Sequence, residues 1–150
     1  MKGSFWKTIM LFVSMAVLMV AVWYVSTKAY SFQGNRIVTV VVDGNRIYAE
    51  LVTSKEKMGQ GLGGRESICE SCGMLFRFNK PGRHAFWMKD MRFPLDILWI
   101  SNGKIAYIRK NVPASSDQVM MPPMDADQVL EINAGSADRL GLKEGDNAVF

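Results

Sequence analysis

The sequence predicts an α+β, mostly β domain of small barrel-like form with two short helices, preceded by one N-terminal transmembrane helix. Three observations carry this: an uncharged apolar run near the start, many short β-rich runs punctuated by Asp-Gly and Asn-Gly turns, and only two segments with short-helix signals. The 150 residues leave room for one compact domain and an appendage.

The apolar run, Ile9 to Val25, contains no charge and a single aliphatic hydroxyl, Ser14. At about 1.5 Å rise per residue it approaches the roughly 30 Å hydrocarbon core of a bilayer. Trp6 stands at one end and Trp23 and Tyr24 at the other, where amphipathic rings favour the interface. The amino terminus, Lys2 and Lys7 precede the run and Lys28 and Arg36 follow it, so the slight positive excess favours a cytoplasmic N-terminus. The expected plan is a cytoplasmic tail over 1–8, an anchor over 9–25 whose partner is the lipid bilayer, a connector over 26–36 and an extracytoplasmic domain over 37–150. A signal peptide cleaved near Thr27-Lys28-Ala29 is the alternative, and it also leaves the domain outside.

The domain begins with the β-branched run Ile37–Val42, the turn Asp43-Gly44-Asn45 and an alternating run to Leu51, which together read as a hairpin. Thr53 and Glu56 have capping-box spacing and predict a short helix ending at the glycines Gly61, Gly63 and Gly64, with Met58 and Leu62 on one face. Strands are predicted at Met74–Phe78, Arg83–Met88, Leu95–Ile100, Lys104–Arg109 and Val129–Ile132, the turn Asn102-Gly103 making a second hairpin. Residues 111–127 hold three of the five prolines and read as a long loop. Ser136–Leu140 predicts a second short helix before Gly141, and a final strand ends at Phe150.

Charge distribution excludes one class of function. Removing Lys2, Lys7 and Lys28 from the 18 basic residues leaves 15 against 14 acids, with no basic stripe on the domain, so no nucleic-acid partner is expected. Two cysteines are too few for a disulfide-dense scaffold or a four-cysteine zinc site.

The local chemistry is sparse. Cys69 and Cys72, three residues apart, suit a small structural disulfide, half a metal site or a redox pair; no helix N-terminus follows them as in thioredoxin-type catalysis. The single histidine, His84, reads as a surface or turn residue. Asp96 interrupts the apolar run Leu95–Ile100 and shares a face with Leu98 and Ile100, which favours a buried ion pair with Arg65, Arg77, Lys89 or Arg92. Alternatively, Asp96 joins Arg65, Trp87, Met88 and Lys89 around a ligand pocket with an aromatic wall and a charged rim. Met120, Met121 and Met124, with Met88 and Met91, form a soft-donor pattern that suits copper(I), but methionine is also a common core filler. No metal site and no cofactor are expected.

From about Leu51 to Val149 the ordered motifs resemble the bacterial and archaeal domain of unknown function 192 family. The matching pieces are Met58–Leu62 with Arg65, Gly73–Phe76, Phe86–Lys89, Pro94–Ile97, Asn111–Pro113, Leu130–Gly135, Leu140–Leu142 and Gly145-Asp146. The resemblance implies no settled activity. The chain departs from the family after Asn111-Val112-Pro113, where a Pro/Cys/Ser-rich stretch is replaced by Ser115–Gln128. The expected function is a non-catalytic binding or accessory module of the cell envelope, with an unidentified envelope ligand or protein as partner. One alternative is an enzyme acting on an envelope polymer or metabolite through Asp96, Asp90 and Lys89; another is thiol or metal handling through Cys69 and Cys72.

Overall fold

The computed structural model describes Met10, residues 12–19 and residues 34–150. Residues 12–19 are helical. Of the expected 9–25 anchor, residues 9, 11 and 20–25 lie outside the described residues, and among those described no helix is long and apolar enough to cross a membrane. A separate compact unit spans Gly34–Phe150.

Seven strands build this unit: β1 (Arg36–Val42), β2 (Asn45–Val52), β3 (Cys72–Gly82), β4 (Leu95–Ser101), β5 (Lys104–Val112), β6 (Ala126–Asn133) and β7 (Ala148–Val149). Two short helices accompany them, α1 (Lys55–Gln60) and α2 (Ser136–Arg139). Sheet order is β5-β4-β6-β3-β2-β1-β7, antiparallel except for the β2–β3 pair. The sheet curls until its ends meet through the segment before and within β7. There the Ala148 amide donates to the Gly103 carbonyl at 2.8 Å and the Ile105 amide to the Asp146 carbonyl at 2.9 Å. This is the barrel-like curl that the run of short strands anticipated.

Turn chemistry sets both hairpins. Asp43 and Gly44 have φ of 47° and 81°, and Asn102 and Gly103 have 51° and 71°. Two successive positive φ values define the type I′ turn, whose twist matches that of the flanking strands.

Alternation along the strands divides buried side chains into two layers. Val40, Ile47, Leu75, Leu98, Ile100, Leu130 and Ile132 belong to the inner core. Met74, Phe76, Ile97, Trp99 and Val129 alternate with them and are buried on the other face. That outer face is covered by the chain between β3 and β4: the Phe86 ring stands edge-on to Phe76 at 4.9 Å and to Trp99 at 5.9 Å, and the Trp99 Nε1–H donates to the His84 carbonyl at 2.8 Å.

Several expected elements are corrected. The cap of α1 is Ser54, whose Oγ accepts the Lys57 amide at 3.4 Å, because β2 keeps the chain extended through Val52 and delays the helix by one residue. The helix ends at Gln60, so Leu62 lies beyond it rather than on its face. Arg83–Met88 is not a strand; it pairs only through the Phe86–Met120 bridge, since its role is to cover a sheet face rather than extend an edge. The 111–127 loop is shorter, because β5 runs to Val112 and β6 starts at Ala126.

Asp96 fastens the inner layer at one end. It is fully buried, accepting the Asn111 amide at 2.7 Å on Oδ1 and the Ala137 amide at 2.8 Å on Oδ2. The ion pair expected for it is replaced by two backbone donors, one from β5 and one from α2. Those donors are oriented by the fold itself, so no flexible cation has to be ordered against the carboxylate. An Asp96→Asn variant turns an NH₂ group toward one of the two donors; urea unfolding should show a loss of about 2–4 kcal/mol, and unchanged stability would remove this fastening role.

Candidate functional site

Glu131 is where the outer layer ceases to be apolar. The register aligns Glu50, Met74, Glu131 and Ile97 across β2, β3, β6 and β4 on one face. Two acids therefore stand two strands apart within a buried surface, Glu50 at 1% exposure and Glu131 at 5%.

The two acids are treated differently. Glu50 is satisfied: it pairs with Arg65, whose Nη2 donates to Oε2 at 3.1 Å, and accepts the Asn35 amide group at 2.6 Å. Glu131 has a buried Oε2 without a hydrogen-bond partner. Burial pushes its carboxyl from 4.5 up to about 8, against the opposing pull of the Arg65 guanidinium. At neutral pH the group is thus mostly protonated, with one donor and one acceptor to offer.

A groove of about 270 Å³ reaches Glu131 from outside. One wall is the Met58–Gly63 turn, and the other carries Phe78, His84, Phe86, Trp87 and Lys89 over Phe76. Glycine is required in the first wall. Gly61 has φ 52° and ψ −136°, and an added Cβ would stand 3.6 Å from the Phe76 ring and 3.9 Å from Glu131 Oε2. Gly63 packs on the opposite wall, where a Cβ would meet the Lys89 carbonyl at 3.1 Å. The Gly64 amide donates to the Asp90 carbonyl at 2.8 Å, tying the two walls together.

On the aromatic wall, Phe86 and Met88 are buried while Trp87 and Lys89 point outward. Trp87 is 54% exposed, and the Lys89 ammonium lies 5.4 Å from its ring centre. His84 stacks on Phe78 with ring centres 3.5 Å apart, and its Nε2 is 3.2 Å from the Lys80 carbonyl.

Of the sequence-derived pocket candidates, Trp87 and Lys89 line the groove. Met88 is buried and lines no part of it, Arg65 is engaged with Glu50, and Asp96 points into the inner layer and lines no part of it either. Asp96 is on the wrong face because β4 alternation puts it with Leu98 and Ile100, away from the outer layer. The acid that the sequence reading missed is Glu131. Its signal was the one that singled out Asp96, a lone carboxylate within an apolar run, here Val129–Ile132.

Cys69 and Cys72 form a disulfide, held beside β6 by Asn133, whose side-chain amide donates to the Cys69 carbonyl at 3.0 Å. Met120 is buried in the bridge to Phe86, whereas Met121 and Met124 are exposed. Among the described residues no group of three or more His, Cys, Asp or Glu is arranged to hold a metal ion.

Glu131 makes stability depend on pH in a defined direction. The folded chain keeps a proton that the unfolded chain releases above 4.5, so this contribution is complete below 4.5 and is lost as pH rises toward about 8. Its upper limit is about 5 kcal/mol. Urea unfolding of the native chain should lose a few kcal/mol between about pH 5 and about pH 8 relative to Glu131→Gln, which has no proton to release. Parallel pH profiles for the two proteins would refute the buried neutral acid.

Residues 38–150 match the family called DUF192, described as an uncharacterized ACR. No curated protein matches. Two crystal structures share the fold. A protein of unknown function from Novosphingobium aromaticivorans DSM 12444 is 32% identical with a TM-score of 0.74, covering 79% of this chain and 88% of its own. A protein from Sinorhizobium meliloti 1021, whose description proposes a transcription regulator, is 31% identical with a TM-score of 0.71, covering 75% of this chain and 91% of its own. The profile match over most of the chain and these two levels of identity establish that the chain belongs to the DUF192 family.

Proposed function

We propose that this chain is a membrane-anchored binding module, facing outside the cytoplasm, that takes a neutral ring rich in hydroxyl or amide groups into the Glu131 groove. Sugar residues have this chemistry. The observation that carries the reading is the buried, unpartnered Glu131 Oε2 at the base of a groove with an exposed Trp87 on its wall. An aromatic face packs against the C–H face of a sugar ring, and a neutral carboxyl can donate and accept at once. A charged ligand is favoured less, because Lys89 and the Arg65–Glu50 pair already supply both signs nearby.

The anchor rests on the uncharged run from Ile9 to Val25, and the outward orientation on the lysines that precede it. The Cys69–Cys72 disulfide supports the same placement, since such bonds persist in oxidising compartments. With Cys72 only 4% exposed, the pair suits a structural staple better than a thiol shuttle. The nearly neutral domain gives no support to a nucleic-acid role.

One observation favours a second reading. A carboxyl raised to about 8 in an aromatic cleft is also suited to general-acid catalysis on a sugar bond. Glutamine separates the two, because it keeps donor and acceptor capacity but cannot deliver a proton. With an N-acetylglucosamine oligomer as probe, tryptophan fluorescence should report saturable binding that Glu131→Gln changes by no more than about threefold and that Trp87→Ala or Glu131→Leu weakens by about tenfold or more. Absence of binding up to about 10 mM sinks this ligand class. Oligomer cleavage by the native chain, abolished in Glu131→Gln with binding intact, moves the function to the enzyme reading.

Orientation is tested on intact cells with a membrane-impermeant maleimide. Cys69 and Cys72 should label only after reduction; labelling that requires lysis, with burial excluded by a denatured control, would place the domain inside.

A further inference from the structure

A second groove, of about 700 Å³, runs along the free side of β5. Six consecutive residues of that strand, Tyr107–Val112, line it, with the loop after Pro113 as one wall and Leu142–Glu144 as another. Strand β5 ends the sheet order, and on that side its first residues make backbone hydrogen bonds to the segment over 145–148. Beyond them, among the described residues, no strand pairs with β5 on this edge.

The edge has one occupant already. The Ile108 amide donates to the exposed carboxylate of Glu144 at 3.3 Å, a long bond at a solvated site. An added strand would place a carbonyl oxygen where this carboxylate stands. Antiparallel alternation puts the Lys110 amide on the same edge as that of Ile108. Unpaired strand edges are templates for further strands unless they are short, charged, bulged or covered. This one is charged and bulged, with register shifts opposite Leu95/Ile97 and Trp99/Ile100, and it is recessed in a groove rather than covered.

Charge selects the occupant. Arg109, Lys110 and Lys143 line the groove, against one acid, Glu144. Lys110 is paired with Asp138 at 2.6 Å, and no ion pair involving Arg109 or Lys143 is found among the described residues. A second copy of the chain, pairing β5 with β5 about a two-fold axis between Arg109 and Lys110, would set Arg109 of each copy opposite Lys110 of the other, and like charges across a strand pair destabilise it. A partner with acidic side chains meets no such repulsion.

We propose that the free edge of β5 is a docking site for an extended, acidic segment of a partner protein, which joins the sheet as an added strand. Backbone hydrogen bonds at Ile108 and Lys110 hold it, displacing Glu144, and Arg109 and Lys143 select acidic side chains. The strap over 113–125, left without a role by the sequence, becomes the groove wall. It is fixed there by the reciprocal backbone bonds of Met120 and Phe86, at 2.7 and 2.8 Å. The proposal stands independently of the Glu131 groove.

The test uses the full-length chain in detergent solution and a fluorescein-labelled hexapeptide of alternating valine and glutamate, read by anisotropy. Saturable binding is expected, weakened by about tenfold or more when lysine replaces glutamate in the peptide and again when every internal amide is N-methylated. The double substitution Arg109→Glu and Lys143→Glu, at two exposed positions, should reverse the preference toward the lysine peptide without lowering the melting temperature. Equal binding of the methylated peptide excludes strand addition, and equal binding of the lysine peptide excludes the acidic partner. No saturation up to about 1 mM, or a dimer in sedimentation that the glutamate peptide fails to dissociate, overturns the proposal.

Discussion

Strands β3, β6 and β4 are buried on both faces, and this two-sided burial constrains the rest of the molecule. A single curled sheet normally encloses its inner face and leaves the outer one to water. Here Met74, Phe76, Ile97, Trp99 and Val129 make the outer face apolar as well, so something has to cover it. The long connections do so: Leu62, from the chain between β2 and β3, and Phe86, Met88 and Phe93, from the chain between β3 and β4, are all buried. Each fully buried residue of this size contributes about 1.5–3 kcal/mol, so the cover contributes to the fold as well as forming the walls of the groove.

Within that layer the two acids show how environment determines chemistry. Glu50 has its hydrogen-bonding capacity used, because Arg65 and Asn35 surround it with donors. Glu131 shares the row but leaves one oxygen unpartnered, and a buried carboxylate without donors is stabilised by keeping its proton. A neutral acid there costs less than a charged one, but it still leaves hydrogen-bonding capacity unused. The proposed binding role draws on this unused capacity at the foot of an aromatic groove. Asp96 provides the contrast. Both of its oxygens accept backbone amides, so nothing remains to offer a ligand.

The comparison of Asp96 with Glu131 also shows where sequence reasoning stops. Both are lone acids in apolar strands, and alternation correctly places Asp96 beside Leu98 and Ile100. Alternation cannot say which face of a doubly buried strand opens onto a groove, because both faces look alike in composition. Arg65, one of the cations considered for Asp96, is paired instead with Glu50, a carboxylate 15 residues away in β2, the strand that runs parallel beside β3. Trp87 and Lys89 face outward because Phe86–Lys89 alternates buried and exposed positions within four residues, a local pattern that survives without a continuous strand.

By itself the sequence determined the features that depend on neighbouring residues. These are the β-rich class, the two Asp-Gly and Asn-Gly hairpins whose turns require positive φ, the short second helix, and the apolar run at the N-terminus. Tertiary structure alone decided the order of the seven strands, the closure of the curl through 145–148, the cover over the outer face, and the pairing of Glu50 with Arg65. The physical reason is range. Turn geometry and side-chain alternation are set within a few residues, whereas burial, desolvation of a carboxyl and the freedom of a strand edge are set by chain segments that meet only in the folded state.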